Sequence, residues 1–229
     1  MQCWNLGKTI IHAILDYRIG MGSLRKHFGK YKRLLINRRQ LEEYYKMLYV
    51  NNKQKPYVFF CSTLWFNDEK NNNDLNVNLS RANFIRACKD ISTLHFEGGL
   101  VSQSDNRSSI EKFADCLYKG VDIDKWIEKT KQSYVVFNTP AFWKCHGWKL
   151  GEYLAMGKCI ISTPLSNDLP FPLEHGVNIH FVQNDKKAIQ AAIEYIISHP
   201  EYKSHLEKGA REYWYKYGSP TASLKLLGI

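Results

Sequence analysis

The sequence predicts an α/β protein with a doubly wound parallel sheet, preceded by a basic helical segment. Three observations lead to that class. Short apolar runs without polar interruption, such as Tyr57 to Leu64 and Cys159 to Thr163, suit strands buried on both faces. Between them lie stretches with helical apolar spacing, so that β and α elements alternate from Tyr57 onward. One unit, Tyr134 to Pro164, reads in full as strand, loop, helix, glycine, strand. In such a right-handed βαβ unit the loop and the helix start lie at the carboxyl edge of the sheet, where open α/β sheets bind ligands.

The elements follow in order. Residues 1–55 read as interrupted helix, with Trp4, Ile10, Ile11, Ile14 and Leu15 on one apolar face and a break at Gly20 to Ser23. This segment holds twelve Lys and Arg against three acidic residues, a balance of +9, whereas the whole chain carries +10. Basic residues interleaved with Phe28, Tyr31, Tyr44 and Tyr45 suit phosphate contacts with an anionic membrane surface or with nucleic acid, and equally suit a solvated helix face. Nucleic acid is the least favoured of the three, because no helix-turn-helix, zinc-finger or RRM signature accompanies the charge.

From Pro56 the pattern becomes that of a single domain, 56–229. Tyr57 to Leu64 is read as a central strand, Phe66 to Asn78 as a long polar loop, and Ser80 to Ile91 as a helix with Ser80 as N-cap. Arg81 and Asn83 then fall in the first helical turn, where a phosphate would be welcome. Thr93 to Phe96 reads as a short strand closed by Gly98-Gly99, with His95 as a satisfied core histidine, and a helix is expected from Ser109 to Tyr118. Asp122-Ile123-Asp124 has the D-x-D form of a metal-binding motif, but the helical stretch from Lys125 makes helix capping the better explanation. Beyond the central unit come a proline-punctuated loop at Pro164 to Pro172, a strand at Asn178 to Val182, a helix capped by Asp185, and a last helix from Glu201 to Tyr217.

The central unit carries the chemistry. Tyr134 to Thr139 is the strand, Trp148 to Met156 the helix, and Gly157 its left-handed cap. The helix start offers unpaired N–H groups and partial positive charge to a phosphate, with Gly147 leading in and Lys144 and Lys149 adding charge. Glu152, in the second turn, reads either as an acceptor for a sugar hydroxyl pair or as a surface carboxylate.

Composition bounds what the chain can be. A hydrophobic share of 44% supports a packed core, and no apolar run approaches the roughly 20 residues of a membrane helix. Met1 to Gly22 lacks the order of a signal peptide, and the six cysteines are scattered without C-x-x-C spacing. Reduced thiols and a cytoplasmic setting, with peripheral attachment to the inner face of a membrane, are expected.

The run Lys149-Leu150-Gly151-Glu152-Tyr153-Leu154-Ala155-Met156-Gly157-Lys158, followed by Ile160-Ile161-Ser162-Thr163, resembles the K-L-x-E-Y-L-A-x-G-K signature of GT-B nucleotide-sugar glycosyltransferases. The likeness spans roughly Pro56 to Pro220. It implies a Rossmann-like, C-terminal donor-binding domain that takes a nucleoside diphosphate sugar without a metal or other cofactor. It further implies hexosyl transfer to a glycan or lipid-linked acceptor in surface glycan or polysaccharide synthesis, completed by an acceptor domain or partner chain; the alternative is a non-catalytic nucleotide-binding or assembly module. Carried over to this sequence, the donor-binding residues would be Arg81 and Arg86 as the basic pair, with Asn83 beside them, then His146, Gly147, Lys149 and Glu152. Two departures stand out. Lys144 occupies the place of an expected first glutamate, with His146 the nearest polar substitute, and residues 1–55 are too few for an acceptor domain.

Overall fold

A computed structural model of the protein describes residues 55–65, 72–102, 107–141, 145–226 and 228. The expected helices, apolar face and basic patch of residues 1–54 lie outside the described residues.

Strand β1 (Tyr57–Leu64) pairs in parallel with β2 (His95–Ser102), Tyr57 facing His95 and Leu64 facing Ser102. Strands β3 (Val136–Asn138), β4 (Ile160–Ser162) and β5 (His180–Phe181) form a second parallel set in that order. The two sets meet at β1 and β3. There the Tyr134 N–H donates to the Tyr57 carbonyl at 2.6 Å and the Phe59 N–H donates to Ser133 Oγ at 2.9 Å. On the far side of β2 a parallel bridge joins Leu100 to Leu117. The chain therefore builds outward from β1 in one direction through β2 and Leu117, then returns to add β3, β4 and β5 on the other side. That reversal between β1 and β3 is the switch point of a doubly wound sheet.

Alternation along the strands sends neighbouring side chains to opposite faces. Val58, Phe60, Val135, Phe137 and Ile161 enter one core, while Phe59, Val136 and Ile160 enter the other. Helices α1 (Asn72–Asp90) and α5 (Lys186–Ser198) cover the first face through Phe84, Ile85, Ile189 and Ile193. The second is covered by α3 (Ile123–Gln132) and α4 (Trp148–Ala155) through Trp126, Ile127, Leu150 and Leu154. Phe84 stacks on Phe137 at 4.5 Å, fixing α1 over the junction of the two strand sets. Helix α2 (Arg107–Lys112) leads into a 3-10 turn at Ala114–Cys116. Helix α6 (Pro200–Tyr213) ends in a π-helical turn, Trp214–Gly218, before the short α7 (Pro220–Leu226), which the sequence reading did not anticipate.

Several expectations are corrected. Helix α1 starts at Asn72, so the polar loop is far shorter than expected and Ser80 lies inside the helix instead of capping it. Arg81 and Asn83 consequently sit in mid-helix, away from any first-turn phosphate site. Asparagine-rich sequence favours turns, but Asn78 is buried with both ends of its carboxamide in use, Nδ2 donating to the Trp65 carbonyl and Oδ1 accepting from the Trp65 N–H. Strand β2 also runs past Gly98-Gly99. A Cβ on Gly98 would stand 1.9 Å from the Phe60 carbonyl oxygen and one on Gly99 2.3 Å from that of Cys116, so the pair lets both neighbouring chains approach. His95, at the start of this strand, is exposed, its ring meeting Tyr57 edge to face. Asp122 and Asp185 cap α3 and α5 as expected, and Gly157 closes α4 at φ +60°.

Candidate functional site

A cavity of about 600 Å³ opens at the switch point, over the carboxyl ends of β1 and β3. Ser62 and Thr63 from β1, Asn138 at the end of β3 with Thr139 just after it, the start of α4, and the segment 119–123 that leads into α3 form its walls. Its position follows from the topology, since adjacent crossovers leave to opposite faces here and open a crevice between them.

Two buried cations set its character. Arg81, only 7% exposed, reaches across from α1 and donates from Nη1 to the Thr63 carbonyl at 2.6 Å. Burial pulls its guanidinium down to about 10. Lys149, the second residue of α4, donates from Nζ to the Cys61 carbonyl at 2.5 Å and lies 5.3 Å from the ring centre of Phe60 and 5.8 Å from that of Trp126. Its ammonium is enclosed although part of the side chain is exposed. Burial first, and then the charge of Arg81, bring it to about 7, against the opposing pull of Cys61 and Glu152. Among the described residues neither cation is in an ion pair. Helix α4 adds to the same polarity, because its N-cap Gly147 has no side chain to occupy the first-turn N–H groups. The result is concentrated positive potential in a partly enclosed space, ready for an anion.

Of the donor-binding residues expected from the resemblance, the cavity brings together Arg81, Gly147 and Lys149, while Lys144, the other charge expected at the helix start, lies outside the described residues. The other four stand apart from its lining. Asn83 bonds to Asn184, and Arg86 forms a two-pronged pair with Asp115 at 2.7 and 2.8 Å, which draws that carboxylate down to about 2. His146 adjoins the cavity loop, its buried Nε2 without a hydrogen-bond partner among the described residues. Glu152 acts on the cavity through the charge of Lys149, one turn earlier on α4. Three lining tryptophans, Trp65, Trp126 and Trp148, went unremarked in the sequence reading. Trp148 carried a usable signal, a large aromatic at the very start of a ligand-edge helix. The wall at 119–123 carried none, since what brings it to the sheet is the Leu117 bridge and contacts such as that of Tyr118 with Glu97, which no local spacing announces. No group of three His, Cys, Asp or Glu side chains among the described residues could hold a metal ion.

No protein-family profile matches the chain, and no curated protein does. Solved structures do. Sucrose-phosphate synthase from Thermosynechococcus elongatus superposes with a TM-score of 0.55 at 16% identity, over 83% of this chain and 49% of that one. A glycosyltransferase from Rickettsia africae gives 0.51 at 14%, over 91% and 51%. The chain has the fold of one GT-B half. A third structure shares it, the UDP-GlcNAc 2-epimerase of Neisseria meningitidis bound to UDP-GlcNAc, at 0.51 and 13% identity over 87% and 51%. This GT-B half spans about half the length of each of the three. At such identities the likeness is one of fold, common to transferases and epimerases alike.

Proposed function

We propose that this chain is the donor-binding half of a glycosyltransferase that moves a hexose from a nucleoside diphosphate sugar to the hydroxyl of a glycan or lipid-linked acceptor in surface-polysaccharide synthesis. The observation that carries the reading is the pair of buried cations, Arg81 and Lys149, enclosed beside the α4 N-terminus at the switch point with no ion pair among the described residues. A diphosphate is the group such a site neutralises, and the resemblance of the α4 sequence supplies the rest. In the reaction the acceptor hydroxyl gives its proton to a base of the acceptor domain, and its oxygen bonds to the anomeric carbon as the bond from that carbon to the diphosphate oxygen breaks. The leaving diphosphate keeps the electron pair. Arg81, Lys149 and the first N–H groups of α4 stabilise that charge as it develops, in a site too enclosed for water to screen it fully. We further assign residues 1–55 to a separate basic segment that meets an anionic membrane surface at its cytoplasmic face, with an acceptor domain contributed from elsewhere.

Thermal unfolding with UDP, GDP, ADP and inorganic pyrophosphate tests the binding step. The cognate ligand at a hundred times its dissociation constant should add about 2.7 kcal/mol of stability. Arg81→Met, once shown to be folded, should remove most of that gain for every diphosphate tried. Absence of any shift with all four ligands at millimolar concentration would discard the donor-binding reading.

A further inference from the structure

The geometry points to Trp148, seated on Trp126, as the platform on which the nucleobase of the donor stacks, and so as a residue that sets affinity for nucleotides over other diphosphates. This rests on the donor-binding reading above and goes further, to a part of the ligand that the cations do not touch.

The aromatic arrangement is unusual for a surface. Trp148 is the first residue of α4 and 65% exposed, the greatest exposure of any large hydrophobic side chain among the described residues. Beneath it Trp126, from α3, is only 6% exposed, with the two ring centres 5.9 Å apart. Trp126 in turn stacks on Tyr153 at 15° between planes. A run of three aromatic rings, 6.2 Å between centres from Tyr153 to Trp126 and then 5.9 Å with a 34° tilt to Trp148, thus leads from the core to the cavity and ends on an exposed ring. Supported from below and anchored at a helix start, Trp148 loses little freedom when a flat ring settles on it. That keeps the entropic cost of stacking low.

The occupant follows from what surrounds the column. Lys149 adjoins Trp148 in sequence and its Nζ lies 5.8 Å from the Trp126 ring centre, so a ligand held by the buried cations extends naturally toward the aromatic surface. The flat π face of a nucleoside diphosphate is its base. Along the same wall the backbone of Gly120, at φ +81°, packs against Val101, whose methyls a Cβ there would meet at 3.2 and 3.5 Å, and its peptide groups line the cavity. Asp122, a carboxylate of the lining, is engaged in capping α3 through the Lys125 N–H. Stacking of this kind tolerates any base, so the base itself would be chosen by the main chain of 119–123.

Calorimetric titration of the full chain tests this. Probes are the best-binding nucleoside diphosphate, its nucleotide sugar and inorganic pyrophosphate, applied to wild type, Trp148→Ala, Trp148→Phe and Arg81→Met. Trp148→Ala should weaken both nucleotide ligands about ten- to a hundredfold and leave pyrophosphate unchanged, with Trp148→Phe recovering most of the loss. Arg81→Met should weaken all three. Unchanged nucleoside diphosphate binding in Trp148→Ala overturns the platform, and a loss confined to the nucleotide sugar reassigns the ring to the sugar, also overturning it. Equal loss of pyrophosphate would mark Trp148 as merely structural. If no probe binds wild type, the donor reading itself falls and the platform with it.

Discussion

At the scale of single residues, Lys149 ties fold to chemistry most closely. Its ammonium sits well below its ordinary value of 10.5 because burial and Arg81 both disfavour the charge. Lys158, buried with Nζ on the Lys131 carbonyl at 2.9 Å, is lowered to about 8 for the first of those reasons. A base depressed in the folded state binds fewer protons there than in the unfolded chain between the two values, so stability rises with pH across that interval. The penalty is therefore full below pH 7 and recedes as pH climbs. Cys159, pushed up to about 12 by burial, begins to act against folding once the unfolded thiol ionises near 9. Apo-protein stability attributable to these groups should accordingly increase from about pH 7 to about pH 9, as denaturant titrations at fixed ionic strength would register. A bound diphosphate reverses the balance at Lys149 by favouring the ammonium. Titration with a nucleotide sugar, whose diphosphate does not ionise near neutrality, should show proton uptake at pH 8 and almost none at pH 6, read from buffers of different ionisation enthalpy. Because Glu152 raises Lys149, Glu152→Gln should weaken that ligand more at pH 8 than at pH 6. An identical effect at both pH values would mean that the carboxylate does not act through Lys149.

At the scale of elements, the contact between β1 and β2 depends on glycine. Gly98→Ala would combine a backbone at φ +126° with a Cβ driven into the Phe60 carbonyl, and should cost about 3 kcal/mol or more in chemical denaturation. By contrast, Asp185→Ala removes one cap that accepts the Lys187 and Ala188 N–H groups and should cost only about 1 kcal/mol. A Gly98→Ala loss as small as the cap's would mean that β2 simply slides away from β1. The same two elements show what sequence can reveal. Asp185 was legible because capping is local, a short polar side chain just before a periodic apolar stretch. Gly98-Gly99 was misread because a chain break and a close approach use the same residue, and only the partner strand tells them apart. The early start of α1 escaped notice for a related reason, since what makes Asn78 tolerable inside a helix is the backbone of Trp65.

At the scale of the whole molecule, the parallel α/β class and the ligand edge could be read from alternating apolar runs and one βαβ unit. The composition of the cavity could not. Arg81 was named on the argument of a first helical turn and belongs to the cavity instead through its reach to β1, while the aromatic column unites residues from two helices that no spacing rule connects. On the proposed reading as a donor-binding half, the chain should bind nucleotide and transfer sugar at a negligible rate, because positioning of the acceptor, which can account for roughly 7–11 kcal/mol of a barrier, would come from the other half. Product assays with and without an added acceptor domain would decide this, and ordinary turnover by the 229-residue chain alone would refute it. The placement of β1 also bears on how the protein is made. This apolar strand is the first of the described strands to leave the ribosome, yet it lies at the centre, and its inner neighbour β3 is complete only at Asn138. At ordinary synthesis speeds Tyr57 to Leu64 waits roughly 4–15 s for that partner. Through that interval the nascent chain carries a sticky β segment with one edge open, a natural client for a ribosome-bound chaperone.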